Sequence, residues 1–251
     1  MKVIVIGDTC IDEYVYCSTK RFCPDAPVPV LNPLYNVKSL GMAGNVADNL
    51  RGLGIETVVI SNKERIKKIR YVDDRTNHMF IRVDKQAEDI VPLSWKTLEK
   101  IDFEEYDAVV VSDYNKGFMS NDQLRYIAEN SKISIMDSKR RLSDKLVAAF
   151  TFVKLNESEK ELNKNLTSTN IITTLGSNGA VYKEKHFPVA EVAVRDTSGA
   201  GDSFVAGFVY SYLKTENIWD SIEVANDCAT QVVQKKGTAK IDIKELKNKD
   251  N

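Results

Sequence analysis

"DTSGAGDSFVAGF", residues 196–208, sets two glycines and an aspartate directly before an apolar pattern. After Asp202, apolar residues recur every three or four positions as far as Lys214, which predicts a helix with one buried face. Before the glycines, "FPVAEVAVR" (187–195) is typical of extended chain. Asp202 is therefore expected where a loop passes into a helix.

Such a junction has the chemistry of an anion site. The first backbone N–H groups of a helix have no acceptor within the helix and lie at the positive end of its dipole. Gly199 and Gly201 allow unusual backbone dihedrals and let a ligand approach the main chain closely. A carboxylate beside an anion is unfavourable unless it has a task there, such as accepting a proton. Taken alone, however, these residues equally fit a plain turn followed by an acidic helix start.

Composition narrows the class of protein. The 251 residues, 43% of them hydrophobic, suffice for one large domain or two small ones with a real core. Lys and Arg number 35 against 36 Asp and Glu, so no nucleic-acid partner is expected. The apolar run in "MKVIVIGD" ends at Gly7, too early for a signal peptide or a membrane span. We therefore expect a cytoplasmic protein without a membrane partner.

Short apolar runs bounded by turn or polar residues predict a parallel sheet that is covered on both sides. The runs are "VIVIG" (3–7), "TVVIS" (57–61), "AVVVSD" (108–113), "ISIMD" (133–137), "FVKLN" (152–156) and "IITTLG" (171–176). Helical spacing lies between some of them, in "NVADNLRGLG" (45–54) and "SNDQLRYIAENS" (120–131). The pattern predicts an α/β fold with a mainly parallel central sheet flanked by helices. Ligands of such folds bind at the carboxyl ends of the strands, where Asp113, Asp137 and Asn156 are expected.

Two segments, 13–40 and 69–84, break this alternation. Both are predicted as extended pairs without crossover helices, which favours a small antiparallel sheet outside the main one. We interpret them as a β lid inserted into a single domain spanning 1–251. A plain extension of the sheet edge is the alternative.

Further polar segments follow predicted strands. "TLGSNG" (174–179) supplies a hydroxyl and two glycines suited to phosphates, and it also fits a hairpin turn. "NESE" (156–159) suits a hydrated Mg²⁺, or a helix start capped by Asn156. Asp8, Asp12 and Asn45 are able to bind a polyol or to serve as turn and cap residues. The P-loop and dinucleotide-binding fingerprints are both missing from the sequence.

Taken together, these motifs resemble a known family. "DTSGAGDSFVAGF" closely resembles the C-terminal signature of the ribokinase-like, or PfkB, sugar kinases. Similarity to the heptose kinases that act on D-glycero-D-manno-heptose 7-phosphate lies in "GDTCIDEY" (7–14), "RFCPDAPVPV" (21–30), "GMAGNVADNLRGLG" (41–54), "NHMFIRVD" (77–84) and "VVSDYNKG" (110–117). The resemblance extends from Val3 to about Thr238. It implies a ribokinase-like fold and ATP-dependent phosphorylation of a sugar or phosphosugar, at the anomeric hydroxyl for the heptose.

The resemblance also implies roles for single residues. Asp202 corresponds to the base that takes the proton of the attacking hydroxyl. The N–H groups of Gly199, Ala200 and Gly201 would stabilise charge on the transferring phosphoryl group. The remaining nucleotide positions are Thr174, Gly176 and Gly179 in the nucleotide loop, Asn156 and Glu159 near Mg²⁺ through water, and Asn226 beside the adenine.

On the acceptor side, the family's sugar-contacting positions correspond to Asp12, Gly41 and Asn45, and we add Asp113 at a strand end. A phosphosugar also needs cations at its far end, and the candidates are Arg21, Arg82 and Lys116. The implied cofactors are ATP, Mg²⁺ and a monovalent cation. The implied assembly is a homodimer through the β lid.

Three features depart from the family pattern. Met42 stands where members have the second glycine of a pair, and the stretches between Gly54 and Arg70 and between Glu159 and Asn170 are short. No "HxGH" segment is present, so we expect no second, nucleotidyl-transferring activity within this sequence. Two alternatives stay open: a kinase for another sugar or nucleoside, and a catalytically weak binding protein. The intact "DTSGAGD" segment favours an active kinase.

Overall fold

The computed structural model describes residues 1–86 and 90–247, and a sheet of eight strands forms its centre. Six neighbouring strands run parallel, and at one edge two further strands each pair antiparallel with the strand before them. Their order is β4 (Glu56–Ser61), β1 (Lys2–Gly7), β7 (Ala108–Asp113), β8 (Ser134–Ser138), β9 (Phe152–Asn156), β10 (Ile171–Thr174), β11 (Ala180–Tyr182) and β12 (Lys185–Phe187). All six apolar runs named above are strands of this sheet, so the predicted sheet is confirmed.

Helices cover both faces of the sheet, because successive side chains of a strand point to opposite sides. Val3 and Val5 of β1 pack into one core cluster, whereas Ile4 and Ile6 pack into the other. The first cluster contains residues of α1 (Ala43–Gly52), α6 (Ala200–Thr215) and α7 (Ile218–Val233). The second contains residues of α2 (Trp95–Leu98), α3 (Asn121–Glu129) and α4 (Asp144–Ala149). Two short helices, α5 (Glu157–Leu162) and α8 (Ile243–Lys247), complete the set. The predicted α/β fold is thereby confirmed.

A second sheet has four strands in the order β3 (Pro29–Met42), β2 (Thr9–Phe22), β5 (Ile66–Asp73) and β6 (Met79–Lys85). It consists of two antiparallel hairpins that are joined by parallel pairing of β2 with β5. The parallel pair arises because the chain passes through α1 and β4 between the hairpins. The strands begin earlier and end later than the predicted lid segments 13–40 and 69–84. A lid that closes over a ligand stays a prediction.

The segment 188–195, predicted as extended chain, lies outside both sheets. The strand β12 ends at Phe187, and residues 188–195, all of which are described, belong to no strand. Several of their side chains instead line the pocket described below. Across the described ranges 1–86 and 90–247, no helix combines the length and apolarity needed to cross a membrane.

Candidate active site

The helix α6 begins beside a pocket of about 870 Å³, and its first turn carries Asp202. Gly199 precedes the helix with φ 82°, a conformation that favours glycine. A Cβ atom at Gly199 would lie 2.6 Å from the Asn45 Nδ2 atom of α1. The glycine therefore lets the two helices meet closely at the pocket.

Both oxygens of the Asp202 carboxylate accept hydrogen bonds. The Asn45 side-chain amide donates to Oδ2 over 2.8 Å, and the Tyr114 hydroxyl donates to Oδ1 over 3.1 Å. Burial raises the pKa of Asp202 to about 6, although the bond from Asn45 acts against this rise. Asp202 is thus ionised at neutral pH and has a pKa suited to a general base.

Two residues that the sequence did not single out orient this carboxylate. Asn49, one turn after Asn45, donates to the Asn45 side-chain oxygen over 3.1 Å and accepts from the Ile241 N–H over 2.9 Å. Burial and the charge of Asp202 raise the pKa of Tyr114 well above its usual value, so the phenol keeps the proton that it donates. In the sequence, the one indication for Asn49 is its polar side chain within the apolar helical pattern of residues 45–54.

The pocket brings together nine of the predicted residues from distant parts of the chain. They are Asn156, Thr174, Gly176, Gly179, Gly199, Ala200, Gly201, Asp202 and Asn226. A Cβ atom at Gly179 would lie 2.0 Å from the Phe187 carbonyl oxygen, so this position requires glycine. Asn226 on α7 donates to the same carbonyl over 2.9 Å. Their roles in nucleotide binding stay predictions.

Asn156 and Glu159 form a capping box at the start of α5. The Glu159 carboxylate accepts from the backbone N–H and the side-chain amide of Asn156, over 2.8 and 2.9 Å, and forms an ion pair with Lys139 at 2.7 Å. Asn156 lines the pocket, whereas Glu159 lies behind it. Among the described residues, no three acidic, histidine or cysteine side chains form a metal cluster. These contacts serve to cap α5, and a hydrated Mg²⁺ contacted through water at Asn156 and Glu159 stays a prediction.

On the other side of Asp202, Asp12 forms a buried ion pair with Arg70 of β5. Gly41 faces Asp12, since a Cβ atom there would lie 2.1 Å from the Asp12 Oδ2 atom. The Arg70 guanidinium also lies 5.1 Å from the centroid of the Tyr14 ring. Two of the predicted sugar positions, Asp12 and Gly41, therefore lie together. Arg70, which the sequence did not indicate, balances the charge of Asp12.

Met42, the departure from the glycine pair, has φ 58° and ψ −133° immediately before α1. This backbone conformation favours glycine, and a side chain there costs on the order of 1–3 kcal/mol. The Met42 side chain is buried and packs with Cys10 and Ile66. The chain thus retains the glycine conformation while carrying a large residue.

The structure speaks against Asp113 as a sugar ligand. Arg140 donates to both of its oxygens, over 2.5 and 2.7 Å, and the Ser138 hydroxyl donates over 2.6 Å. Because these bonds occupy the buried carboxylate, Asp113 serves to join β7 to the segment after β8.

The three cations proposed for a distal phosphate do not line the pocket. Arg21 is exposed near the end of β2, and exposed Arg82 forms an ion pair with Asp84 at 2.9 Å. Arg82 pairs in register with Arg70, so the two side chains leave the same face of the sheet. The Lys116 ammonium donates to the Gln86 side chain over 3.1 Å. Their role in substrate binding stays a prediction.

Comparison with known proteins defines the class. Residues 45–245 match the model of the family described as pfkB family carbohydrate kinase. This match covers most of the chain and includes α1 from Asn45 onward, the ends of β7 to β10 and the Asp202 loop. The chain therefore belongs to the pfkB family of carbohydrate kinases.

Individual relatives include the bifunctional protein HldE of a Nitratiruptor species, 28% identical over 98% of this chain. The same protein of Helicobacter acinonychis is 30% identical over 98%. The chain spans 64% and 65% of the length of these relatives. Their alignments run over 298 and 305 positions, more than the 251 residues of the chain, so the relatives carry segments that this chain lacks.

Solved structures share the fold. Phosphofructokinase-2 of Escherichia coli in complex with potassium gives a TM-score of 0.74 at 15% identity, covering 98% of this chain and 97% of that one. Ribokinase of Thermotoga maritima gives 0.72 at 18% identity, covering 100% and 99%. The ribokinase-like fold expected from the sequence is confirmed.

Proposed function

We propose that this chain transfers the γ-phosphoryl group of ATP to a hydroxyl of a sugar or phosphosugar. The observation that carries the proposal is the buried Asp202 carboxylate, with a pKa of about 6, at the glycine-flanked start of α6 beside a large pocket. Asp202 takes the hydroxyl proton while the oxygen forms a bond to the γ-phosphorus. The bond from that phosphorus to the β-phosphate oxygen breaks, and its electron pair leaves with ADP.

On the donor side, Thr174, Gly176, Gly179 and Asn226 lie along one part of the pocket, which supports nucleotide binding there. Mg²⁺, held through water by Asn156 and Glu159, would neutralise phosphate charge. The N–H groups from Gly199 to Gly201 would stabilise the transferring group, and that of Ala200, which donates to the Thr197 carbonyl over 3.3 Å in this structure, would have to exchange that acceptor. A monovalent cation is a further proposed cofactor, which the potassium complex of E. coli phosphofructokinase-2 supports.

As acceptor we propose D-glycero-D-manno-heptose 7-phosphate, phosphorylated at the anomeric hydroxyl. The sequence resemblance to heptose kinases and the HldE relatives support this choice. Asp12 and Gly41 belong to the second sheet, Asn45 donates to Asp202, and Arg82 lies on the same face of that sheet as Arg70. Another sugar or a nucleoside is the second candidate, which the strained Met42 beside this site supports.

We also propose that the chain forms a homodimer through the second sheet. Pairing in register places several apolar side chains on the face opposite to Asp12. They are Ile11, Val15, Leu40, Tyr71, Ile81 and Val83. Leu40, Ile81 and Val83 are exposed, and exposed apolar side chains on a sheet face favour association, with Glu13, Lys38 and Lys67 on the same face. Ile81→Lys with Val83→Lys should convert a dimer to a monomer in light scattering after gel filtration, and an unchanged mass would contradict the interface.

The kinase proposal is tested by ADP release with Mg-ATP. The acceptors are heptose 7-phosphate, ribose, fructose, fructose 6-phosphate and adenosine, with Asp202→Asn as the control variant. Turnover of one acceptor that disappears in the variant would support the proposal and identify the acceptor class. Binding of ATP without turnover of any acceptor would favour the non-catalytic binding protein.

A further inference from the structure

Lys154, on β9, is a buried lysine to which the mechanism above assigns no task. Only 5% of the residue is exposed, yet it lines the pocket. Its ammonium lies 3.3 and 3.2 Å from the two oxygens of Asp137, the residue beside it in register on β8. A buried charge pair is costly, and an apolar pair of similar volume would often serve the fold as well. We therefore look for a functional role of the Lys154–Asp137 pair.

The second neighbour of the Lys154 ammonium is the start of α6. A Cβ atom at Gly201 would lie 3.1 Å from the Lys154 Nζ atom, so the ammonium touches the first turn beside Asp202. The N-terminus of a helix carries positive partial charge, and a cation there is unfavourable. An anion bound between the ammonium and the helix start would turn this repulsion into attraction on both sides.

The ion pair with Asp137 leaves the ammonium able to bind such an anion. Its distances of 3.2 and 3.3 Å exceed the roughly 2.7–2.9 Å of strong charge-assisted bonds. An ammonium has three donors, and the Asp137 oxygens occupy at most two of them. Lys154 thus retains a donor for a bound anion.

We propose that Lys154 is a catalytic residue whose ammonium contacts the γ-phosphoryl group of the nucleotide during transfer. This rests on the proposed kinase function. As the hydroxyl oxygen bonds to the γ-phosphorus and the bond to the β-phosphate breaks, Lys154 stabilises charge on the transferring oxygens. Its own proton is not transferred, because the hydroxyl proton goes to Asp202. The helix start and Lys154 hold the phosphoryl group from two sides.

The first experiment compares nucleotides and needs no acceptor. Calorimetry with Mg²⁺ measures the binding of ADP and of β,γ-imido-ATP to the wild type and to Lys154→Met. The variant should bind β,γ-imido-ATP about 10- to 100-fold more weakly, as expected for loss of a charge-assisted bond, and ADP nearly unchanged. Equal affinities of the wild type and the variant for β,γ-imido-ATP, or an equal loss for both nucleotides, would overturn the inference.

The second experiment separates chemistry from folding. Lys154→Met alone leaves the buried Asp137 carboxylate without its cation, so Tm should fall. Adding Asp137→Asn removes that charge and should recover most of Tm, while kcat stays about 10²-fold or more below the wild type. Recovery of kcat together with Tm would show that Lys154 only neutralises Asp137, and the inference would fall.

The two proposals fail in different ways. A wild type that turns over no acceptor contradicts the kinase function, whereas the difference between ADP and β,γ-imido-ATP still tests Lys154. An active wild type with an equally active double variant contradicts the role of Lys154 and leaves the kinase function intact.

Discussion

The two ends of the candidate site differ in backbone strain and in how completely their polar groups are hydrogen-bonded. At the transfer end, both Asp202 oxygens are hydrogen-bonded, glycines occupy the positions that need them, and Asn49 orients Asn45. At the acceptor end, Met42 has a backbone conformation that favours glycine, and the buried Asp8 Oδ1 atom has no hydrogen-bond partner among the described residues. The end proposed for transfer is thus fully hydrogen-bonded, whereas the end proposed for the acceptor contains a strained residue and an unpaired buried oxygen.

The largest effect should follow from breaking the transfer end. Asp202→Asn removes the base and keeps the size of the side chain, and its amide oxygen accepts from Asn45 while its NH2 group faces the Tyr114 hydroxyl as a donor. We expect kcat to fall about 10²- to 10⁴-fold while ATP affinity changes little. Steady-state turnover and nucleotide titration measure the two quantities. If kcat were retained, Asp202 would have no role as base and the contrast between the two ends would disappear.

At the acceptor end, removing one partner of the Arg70–Asp12 ion pair should mainly lower stability. Arg70→Met leaves the buried Asp12 carboxylate without its cation, which should lower the free energy of unfolding by about 3–5 kcal/mol. Adding Asp12→Asn should recover part of this loss, and nucleotide affinity should stay near that of the wild type. Urea unfolding and calorimetry are the measurements. A large loss of ATP affinity in the double variant would mean that the two ends are not independent.

The Asp202 carboxylate should also limit stability at neutral pH. Because its pKa is raised to about 6 from a usual 3.8, ionising it costs more in the folded than in the unfolded chain. This penalty is absent below pH 3.8, grows as pH rises and is complete above about pH 6. Asp202→Asn should therefore be more stable than the wild type by roughly 1–3 kcal/mol at pH 7.5 and not at pH 4. A gain that is independent of pH would contradict this origin.

The same pKa sets the acid limb of activity. A base that must be ionised loses activity as pH falls through its pKa, so kcat/KM should drop about tenfold per pH unit below about pH 6. Tyr114→Phe removes one bond to the ionised form and should shift this limb to higher pH. The kcat/KM profile of the two proteins between pH 5 and 8 measures the shift. An identical limb in the variant would mean that Tyr114 does not act on the base.

The smallest expected effect is the contribution of backbone strain at Met42 to the free energy of unfolding. At most buried positions glycine is less stable than alanine by about 0.5–1 kcal/mol, and Met136 in β8 provides such a control. At Met42 the order should reverse, with Met42→Gly more stable than Met42→Ala by about 1 kcal/mol, because only alanine keeps the strained Cβ. Urea unfolding of the four variants tests this. The same order at both positions would show that the backbone at Met42 is not strained.

Local patterns allowed most of the fold and the transfer loop to be predicted. Each of the six apolar runs is a strand, and Gly199 to Asp202 lie at a helix start as their spacing indicated. The acceptor side was less predictable. Asp113 matched a strand end, but a bidentate arginine from another segment occupies it. A strand end shows where a side chain lies along the chain, and its partners depend on neighbouring strands.

The residues that the sequence did not reveal all act across long separations. Arg70 meets Asp12 because β2 and β5 pair in parallel, Tyr114 meets Asp202 from the end of β7, and Lys154 meets Gly201 from β9. No local spacing encodes such contacts, because strand order and register bring them together.

Apolar periodicity and glycine placement were enough to specify the α/β class and the helix start at Asp202, and the resemblance of the motifs to a known signature indicated the family. They act within a few residues of one another, so the linear chain displays them. The ionisation of Asp202, the pairing of Asp12 with Arg70 and the position of Lys154 against α6 required the folded chain. Burial and charge proximity set these properties, and both exist only once distant strands lie side by side.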